Sequence, residues 1–133
     1  MRCYKFNQPV NNLPKTLTHL TFLAYYNKGK FNQPLENLPE SLTFLQLDVY
    51  KEFNNNILIP KNCKTLIISI YNKIIDNIPE HVEKLYITNI FRNNKKYVSN
   101  LPVTLKEVIV EDENSKKFIK MPFGTLITID KNV

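Results

Sequence analysis

The amino-acid sequence predicts a mainly β protein, folded as a right-handed solenoid of about six irregular turns. Two observations predict this fold class. A pair made of an apolar residue and a proline recurs six times, with successive prolines 19 to 25 residues apart. At fixed distances after each proline, apolar residues return in the same order. Repeats of this length are typical of solenoids, in which one turn buries its apolar side only against the next.

The prolines define the register of the repeat. Residues three, six and eight places after each of the first five prolines are all apolar, as in Leu17, Leu20 and Phe22 after Pro14. Positions six and eight are two places apart, which is the period of a β-strand, so we expect both side chains to point inwards. In the sixth unit we expect the pattern to slip by one residue, with Leu126 and Ile129 four and seven places after Pro122. The six pairs are Leu13-Pro14, Leu38-Pro39, Ile59-Pro60, Ile78-Pro79, Leu101-Pro102 and Met121-Pro122.

Six short strands stacked in one parallel sheet follow from this register. Proline has a fixed φ and no amide hydrogen, and it holds the preceding residue in an extended conformation, so it suits the turn before each strand. For the same reason we expect the convex side to be mostly irregular or built of short helical turns. The predicted strands are about 20–23, 45–48, 66–70, 85–88, 108–111 and 126–129. Residues 1–133 form a single repeat domain in this interpretation, with units at roughly 6–24, 31–49, 53–70, 71–89, 91–112 and 118–130.

The second landmark of the repeat is an aromatic residue followed by asparagine, which begins eight residues before the proline. It reads Phe6-Asn7-Gln8-Pro9 in the first unit and Phe31-Asn32-Gln33-Pro34 in the second. Phe53-Asn54 and Tyr71-Asn72 are weaker copies. We expect the aromatic ring to fill the side of the core opposite the strand. The asparagine is expected to bond backbone groups of the neighbouring turn, which would otherwise be buried without a partner.

Residues 31–47, from Phe31 to Leu47, resemble one FNIP repeat, and residues 6–22 are a second, nearly intact copy. This family is similar to leucine-rich repeats and is known from social amoebae and from giant viruses of amoebae, so the resemblance implies a leucine-rich-repeat-like solenoid. In the family these repeats often follow an F-box, a module that docks on a ubiquitin-ligase adaptor. The resemblance therefore implies a substrate-recognition role. This chain begins almost at a repeat and leaves no room for an F-box, so the resemblance implies, as an alternative function, a fragment of such a receptor that lacks its F-box.

Protein–protein interaction is the function that we predict from the strands. Residues that alternate with the inward pairs should face the concave side, the usual binding surface of a solenoid. Among them, Phe44, Ile67, Tyr86 and Ile109 would form an exposed apolar stripe across four strands, which is typical of a protein contact. The alternative is that a sheet carries β-forming residues on both faces. The predicted binding residues are Phe44, Gln46, Ile67, Lys84, Tyr86 and Ile109.

Nucleic-acid binding is the rival function. The formal net charge is +6, and Arg92, Lys95 and Lys96 lie close to the aromatic residues Phe91 and Tyr97. Basic and aromatic side chains together bind phosphates and stack on bases. A solvated loop explains the same segment, and the other lysines are scattered, which favours a role in solubility.

Catalysis is not predicted. There are two histidines, His19 and His81, and no Cys-x-x-Cys pair, phosphate-binding glycine loop or nucleophile elbow, so we expect no enzyme activity, metal or cofactor. Cys3 and Cys63 would lie more than two turns apart, too far for a disulfide. The sequence shows no signal peptide and no apolar run of membrane-spanning length, so we expect a cytoplasmic protein, in the host cytoplasm if the source is viral. Neither end shows a polar cap, which predicts either end-to-end self-association or a low stability that depends on a partner.

Overall fold

The computed structural model describes residues 6–23, 31–48, 55–69, 73–90 and 97–132. Within these ranges the protein is a β-solenoid with one six-stranded sheet, in which neighbouring strands are parallel and follow one another in chain order. Two short 3-10 helices, Lys73–Asp76 and Glu113–Phe118, lie between strands. The predicted fold class is therefore confirmed. The strands are β1 (His19–Leu23), β2 (Phe44–Asp48), β3 (Thr65–Ser69), β4 (Lys84–Thr88), β5 (Glu107–Val110) and β6 (Leu126–Ile129).

Equivalent residues of successive strands lie side by side and form continuous inward rows. The first inward row runs through Leu20, Leu45, Leu66, Leu85, Val108 and Ile127. The second runs through Phe22, Leu47, Ile68, Ile87, Val110 and Ile129. The side chains of both rows are fully buried from β2 to β5. Because parallel strands are about 4.8 Å apart, each apolar side chain packs directly on its equivalent in the next turn.

A tight turn at each proline leads the chain into the strand. In all six units the residue three places after the proline donates its backbone N–H to the proline carbonyl, over 2.9 to 3.3 Å. The prolines thus have the role that their spacing predicted. In the first five units the donor is the apolar residue that begins the inward pattern, and in the sixth unit it is Thr125.

The predicted slip in the sixth unit is wrong in its details. Leu126 aligns with Glu107 on the opposite face of the sheet and is 59% exposed, whereas Ile127 and Ile129 occupy the two inward rows. Compared with the other units, the sixth unit has one residue fewer between its turn and its strand. Thr125 still closes the turn, but β6 starts at the very next residue. A deletion at that point shifts the strand register and leaves the turn intact.

Polar side chains two places after the proline link neighbouring turns. Ser41 Oγ donates to the carbonyl of Leu17 over 2.7 Å, and Thr104 Oγ1 donates to the carbonyl of Glu80 over 2.6 Å. Asn62 Nδ2 donates in the same way to the carbonyl of Glu40 over 2.8 Å. These side chains satisfy turn carbonyls that the parallel ladder does not reach.

The Phe-Asn landmark lies on the side of the core opposite the sheet. Phe31 is buried, and its ring centroid lies 4.3 Å from that of Phe22 and 5.9 Å from that of Phe6. Asn7 Oδ1 accepts the backbone N–H of Asn32 over 2.8 Å, which confirms the predicted bond to the neighbouring turn. The weaker copies at Phe53-Asn54 and Tyr71-Asn72 lie outside the described residues. Two isolated parallel bridges, Leu35 with Ile57 and Val98 with Ile119, also occur on this side.

Cys63 occupies a core position that other units fill with leucine or valine. It is fully buried and free, and burial raises the pKa of its thiol to about 11. At neutral pH the thiol is therefore protonated and unreactive. Cys3 lies outside the described residues. No helix in the described part of the chain is long and apolar enough to cross a membrane.

Candidate binding surface

The open face of the sheet carries the side chains that alternate with the inward rows. Two outward rows cross all six strands in the same register as the core. The first outward row is His19, Phe44, Thr65, Lys84, Glu107 and Leu126, and the second is Thr21, Gln46, Ile67, Tyr86, Ile109 and Thr128. The sheet thus presents an ordered array of mixed polar, aromatic and charged groups.

A groove of about 420 Å³ lies on this open face. Its lining side chains come from both outward rows of β2, β3 and β4, together with two residues that follow β6. Five of the six predicted binding residues line it, and Ile109 does not. The lining residues are Phe44, Gln46, Thr65, Ile67, Lys84, Tyr86, Asp130 and Asn132.

The expected exposed apolar stripe is only partly present. Phe44 and Tyr86 are half-buried, but Ile67 is 8% exposed and Ile109 is 3% exposed. Ile67 lies between Gln46 and Tyr86 in its row, and Ile109 lies next to Tyr86. Strands about 4.8 Å apart place the larger neighbours close enough to cover a short branched side chain. Of the four residues of the predicted stripe, only the two aromatic ones therefore offer exposed apolar surface.

Phe44 is held in position from the β1 side. The imidazole of His19 stacks on its ring, with the centroids 5.4 Å apart and the planes at 23°. His19 Nδ1 lies 2.9 Å from Thr18 Oγ1 in a hydrogen bond. Phe44 thus stacks on His19 and also lines the groove.

A charged pair borders the groove on the β5 side. Lys84 Nζ lies 3.0 Å from Glu107 Oε2, and Thr128 Oγ1 donates to Glu107 Oε1 over 2.9 Å. Lys84 Nζ also lies 5.6 Å from the centroid of the Tyr86 ring. The hydrogen bond from Lys84, followed by that from Thr128, lowers the pKa of Glu107, and the same contact with Glu107 raises the pKa of Lys84. Both groups are thus charged at neutral pH, and the ammonium is fixed beside the aromatic ring.

Replacing Lys84 with methionine is expected to raise the pKa of Glu107 towards its ordinary value. Because the folded-state pKa of Glu107 is lowered, its contribution to stability is complete above the unfolded-state pKa and is lost as the pH falls through the folded-state pKa. NMR titration of the Glu107 carboxyl carbon measures the change directly. Thr128→Val removes the smaller cause and should give a smaller rise. An unchanged Glu107 pKa in the Lys84→Met protein would contradict this assignment.

Asp130 and Asn132 line the groove although the repeat pattern did not point to them. The Asp130 N–H donates to the carbonyl of Val110 over 3.0 Å, and Asp130 Oδ1 accepts the N–H of Asn132 over 2.9 Å. This side-chain turn brings the two residues to the groove. They follow the last strand, where no repeat register exists, so the sequence offered no signal for their position.

The structure does not describe the residues of the predicted nucleic-acid site. Arg92, Lys95 and Lys96 lie outside the described residues, as does Phe91. His81 lies in the turn after Pro79, and its carbonyl accepts Lys64 Nζ over 3.2 Å. Among the residues that the structure describes, no group of three or more His, Cys, Asp or Glu side chains is placed to hold a metal ion.

Stacked turns with a common parallel sheet and an open face define a β-solenoid repeat protein. The family model of the FNIP repeat matches residues 31–70, which include β2 and β3. The chain therefore contains an FNIP repeat at residues 31–70, as the resemblance at residues 31–47 predicted. No curated protein and no solved structure matches the chain. The FNIP repeat is a scaffold and not a known enzyme family, and an amoebal or viral source stays a prediction.

Proposed function

We propose that this protein is a protein–protein interaction module that binds its partner through the open face of the sheet. The observation that carries the proposal is the groove, because it collects Phe44, Gln46, Ile67, Lys84 and Tyr86 on neighbouring strands of one sheet. A continuous parallel ladder holds these side chains on rigid elements. Such a surface loses little conformational freedom when a partner binds.

The chemistry of the groove favours a polypeptide as the ligand. Gln46 makes no side-chain hydrogen bond to another described residue, and its carboxamide offers both a donor and an acceptor to a peptide unit. Phe44 and Tyr86 supply rigid aromatic surface, the residue type that most often dominates binding energy at protein interfaces. The Lys84 ammonium offers a fixed positive charge at the same place. We therefore expect an extended segment that packs an apolar side chain between the two rings.

The matched test substitutes aspartate on the groove and away from it. Phe44→Asp and Tyr86→Asp place a charge on the aromatic surface, whereas Val103→Asp changes a side chain that is 79% exposed in a turn. After affinity purification from native cells has identified a partner, calorimetry with the purified partner measures each Kd. Loss of a hot-spot side chain costs about 2 kcal/mol or more, so the groove variants should bind roughly 30-fold more weakly.

Thermal unfolding by circular dichroism first establishes that all three variants are folded. Val103→Asp should bind as tightly as the unchanged protein. Equal affinity of the unchanged protein and the two groove variants would refute the proposed face. A similar loss in all three variants would also count against it.

Three further expectations stay predictions. The family resemblance implies substrate recognition for a ubiquitin ligase, and no contact between described residues bears on a ligase adaptor. Location in the cytoplasm is likewise untested. End-to-end self-association agrees with the half-buried state of Leu20 and Phe22 in β1, since their equivalents in β2 to β5 are fully buried.

A further inference from the structure

A second outward surface lies away from the sheet, where two segments form a short parallel bridge. Val98 donates its N–H to the carbonyl of Phe118 over 2.9 Å, and Lys120 donates its N–H to the carbonyl of Val98 over 2.8 Å. Val98 and Ile119 are buried by this pairing. Because side chains alternate along extended backbone, Tyr97 and Lys120 lie on the opposite side, towards solvent, and both are exposed. Phe118, the last residue of the second 3-10 helix, is half-buried and packs against the core beside them.

Two aromatic rings meet on this surface. The ring centroids of Tyr97 and Phe118 are 5.7 Å apart, with the planes tilted by 47°. Tyr97 is 66% exposed, so most of its ring has no apolar cover. Lys117 Nζ lies 5.6 Å from the centroid of Phe118 and brings a positive charge to the aromatic pair. We call Tyr97, Phe118, Lys117 and Lys120 the aromatic–lysine patch.

The two lysines of the patch are not neutralised within the described part of the chain. Three carboxylates that precede Lys117 in the chain make other contacts: Glu113 with Lys116, Asp112 with the N–H of Ser115, and Glu111 with the N–H of Asn89. Lys117 and Lys120 form no ion pair with a described carboxylate, and both side chains are exposed. The patch therefore combines stacking surface with free positive charge.

We propose that the aromatic–lysine patch binds single-stranded nucleic acid. A base would stack on the exposed face of Tyr97, and the flanking phosphates would lie against Lys117 and Lys120. Stacking on aromatic rings and phosphate contact by lysine are the two general sources of affinity for single strands. The patch shares no residue with the groove on the open face, so this site is independent of the proposed protein contact. Arg92, Lys95 and Lys96 lie outside the described residues, and the proposal does not rest on them.

Fluorescence anisotropy with labelled oligouridylate and oligothymidylate of about 12 nucleotides tests the site. We expect Tyr97→Ala to lower the affinity about tenfold, within the range that loss of one stacked base gives. Tyr86→Ala removes the same type of residue from the open face and should leave the affinity unchanged. This control also separates the nucleic-acid site from the groove.

Salt dependence tests the lysines. Between about 50 and 200 mM salt, each phosphate contact to a single strand contributes roughly −0.7 to the slope of log K against log salt. Lys117→Gln with Lys120→Gln should therefore make the slope shallower by about 1.4, since two contacts are lost. Lys15→Gln with Lys61→Gln removes the same charge from exposed positions in other units and should not change the slope.

The outcomes are distinct. Similar binding of the RNA and DNA strands supports recognition through base and phosphate, and tighter binding of RNA supports the same site with an added contact to the 2′-hydroxyl. Absence of binding to either strand at low salt overturns the proposal. Unchanged affinity of the Tyr97→Ala protein overturns it as well, as does an equal change of slope in the Lys15/Lys61 control.

Discussion

Replacing Leu85 with alanine is expected to destabilise the protein by about 3 kcal/mol. Leu85 lies in β4 in the first inward row, between Leu66 and Val108, and its side chain is fully buried. Removal of three carbons loses their transfer free energy and leaves a cavity that rigid neighbouring turns cannot fill. Urea denaturation followed by circular dichroism measures the difference in free energy of unfolding.

The same substitution at Leu20 is the matched control. Leu20 occupies the same row in β1, at the end of the sheet, and is half-buried. Because water already reaches its side chain, Leu20→Ala should cost only about 1 kcal/mol. A loss at Leu20 as large as that at Leu85 would contradict the stacking of the inward rows. A negligible loss at Leu85 would contradict it too.

Replacing Phe31 with alanine is expected to cost about 3 kcal/mol. Phe31 is buried opposite the sheet and contacts Phe22 of β1 and Phe6 with stacked rings. The substitution removes the ring and its stacking contacts with both partners, and it also opens a cavity. Thermal and urea unfolding of the same samples measure the loss.

Two variants show whether the ring itself matters. Phe31→Leu keeps most of the apolar volume and should restore more than half of the stability lost in Phe31→Ala. Phe6→Ala changes the homologous position of the first unit, which is 36% exposed, and should cost less than Phe31→Ala. If Phe6→Ala and Phe31→Ala are equally destabilising, the landmark does not support the core in the way described.

Much of the fold could be predicted because the interactions that position each turn and strand are local and recur in every unit. Each proline restricts the backbone at one turn, and the residue three places later closes that turn with a hydrogen bond. The two apolar residues that follow have a strand period, so the strand positions and their inward sides were correct in the first five units. The Phe-Asn landmark predicted the roles of Phe31 and Asn7 for the same reason.

The sixth unit could not be predicted in the same way. Its hydrophobic pattern is compatible with a shift at the turn or with a shift after it, and both alternatives leave apolar residues on a strand. The hydrogen bond from Thr125 to Pro122 decides between them, and it leaves Leu126 in an outward row.

By itself, the sequence determined the parallel solenoid, the identity of its inward rows in the first five units, and the outward positions of Phe44, Gln46, Lys84 and Tyr86. Only the tertiary structure decided that Ile67 and Ile109 are covered by their neighbours, that Asp130 and Asn132 line the groove, and that Tyr97 meets Phe118. The physical reason is the range of the interactions. A repeat period specifies which face of its own strand a side chain occupies. The exposure and the contacts of that side chain depend on residues from other turns, and the period does not give the distances to those residues.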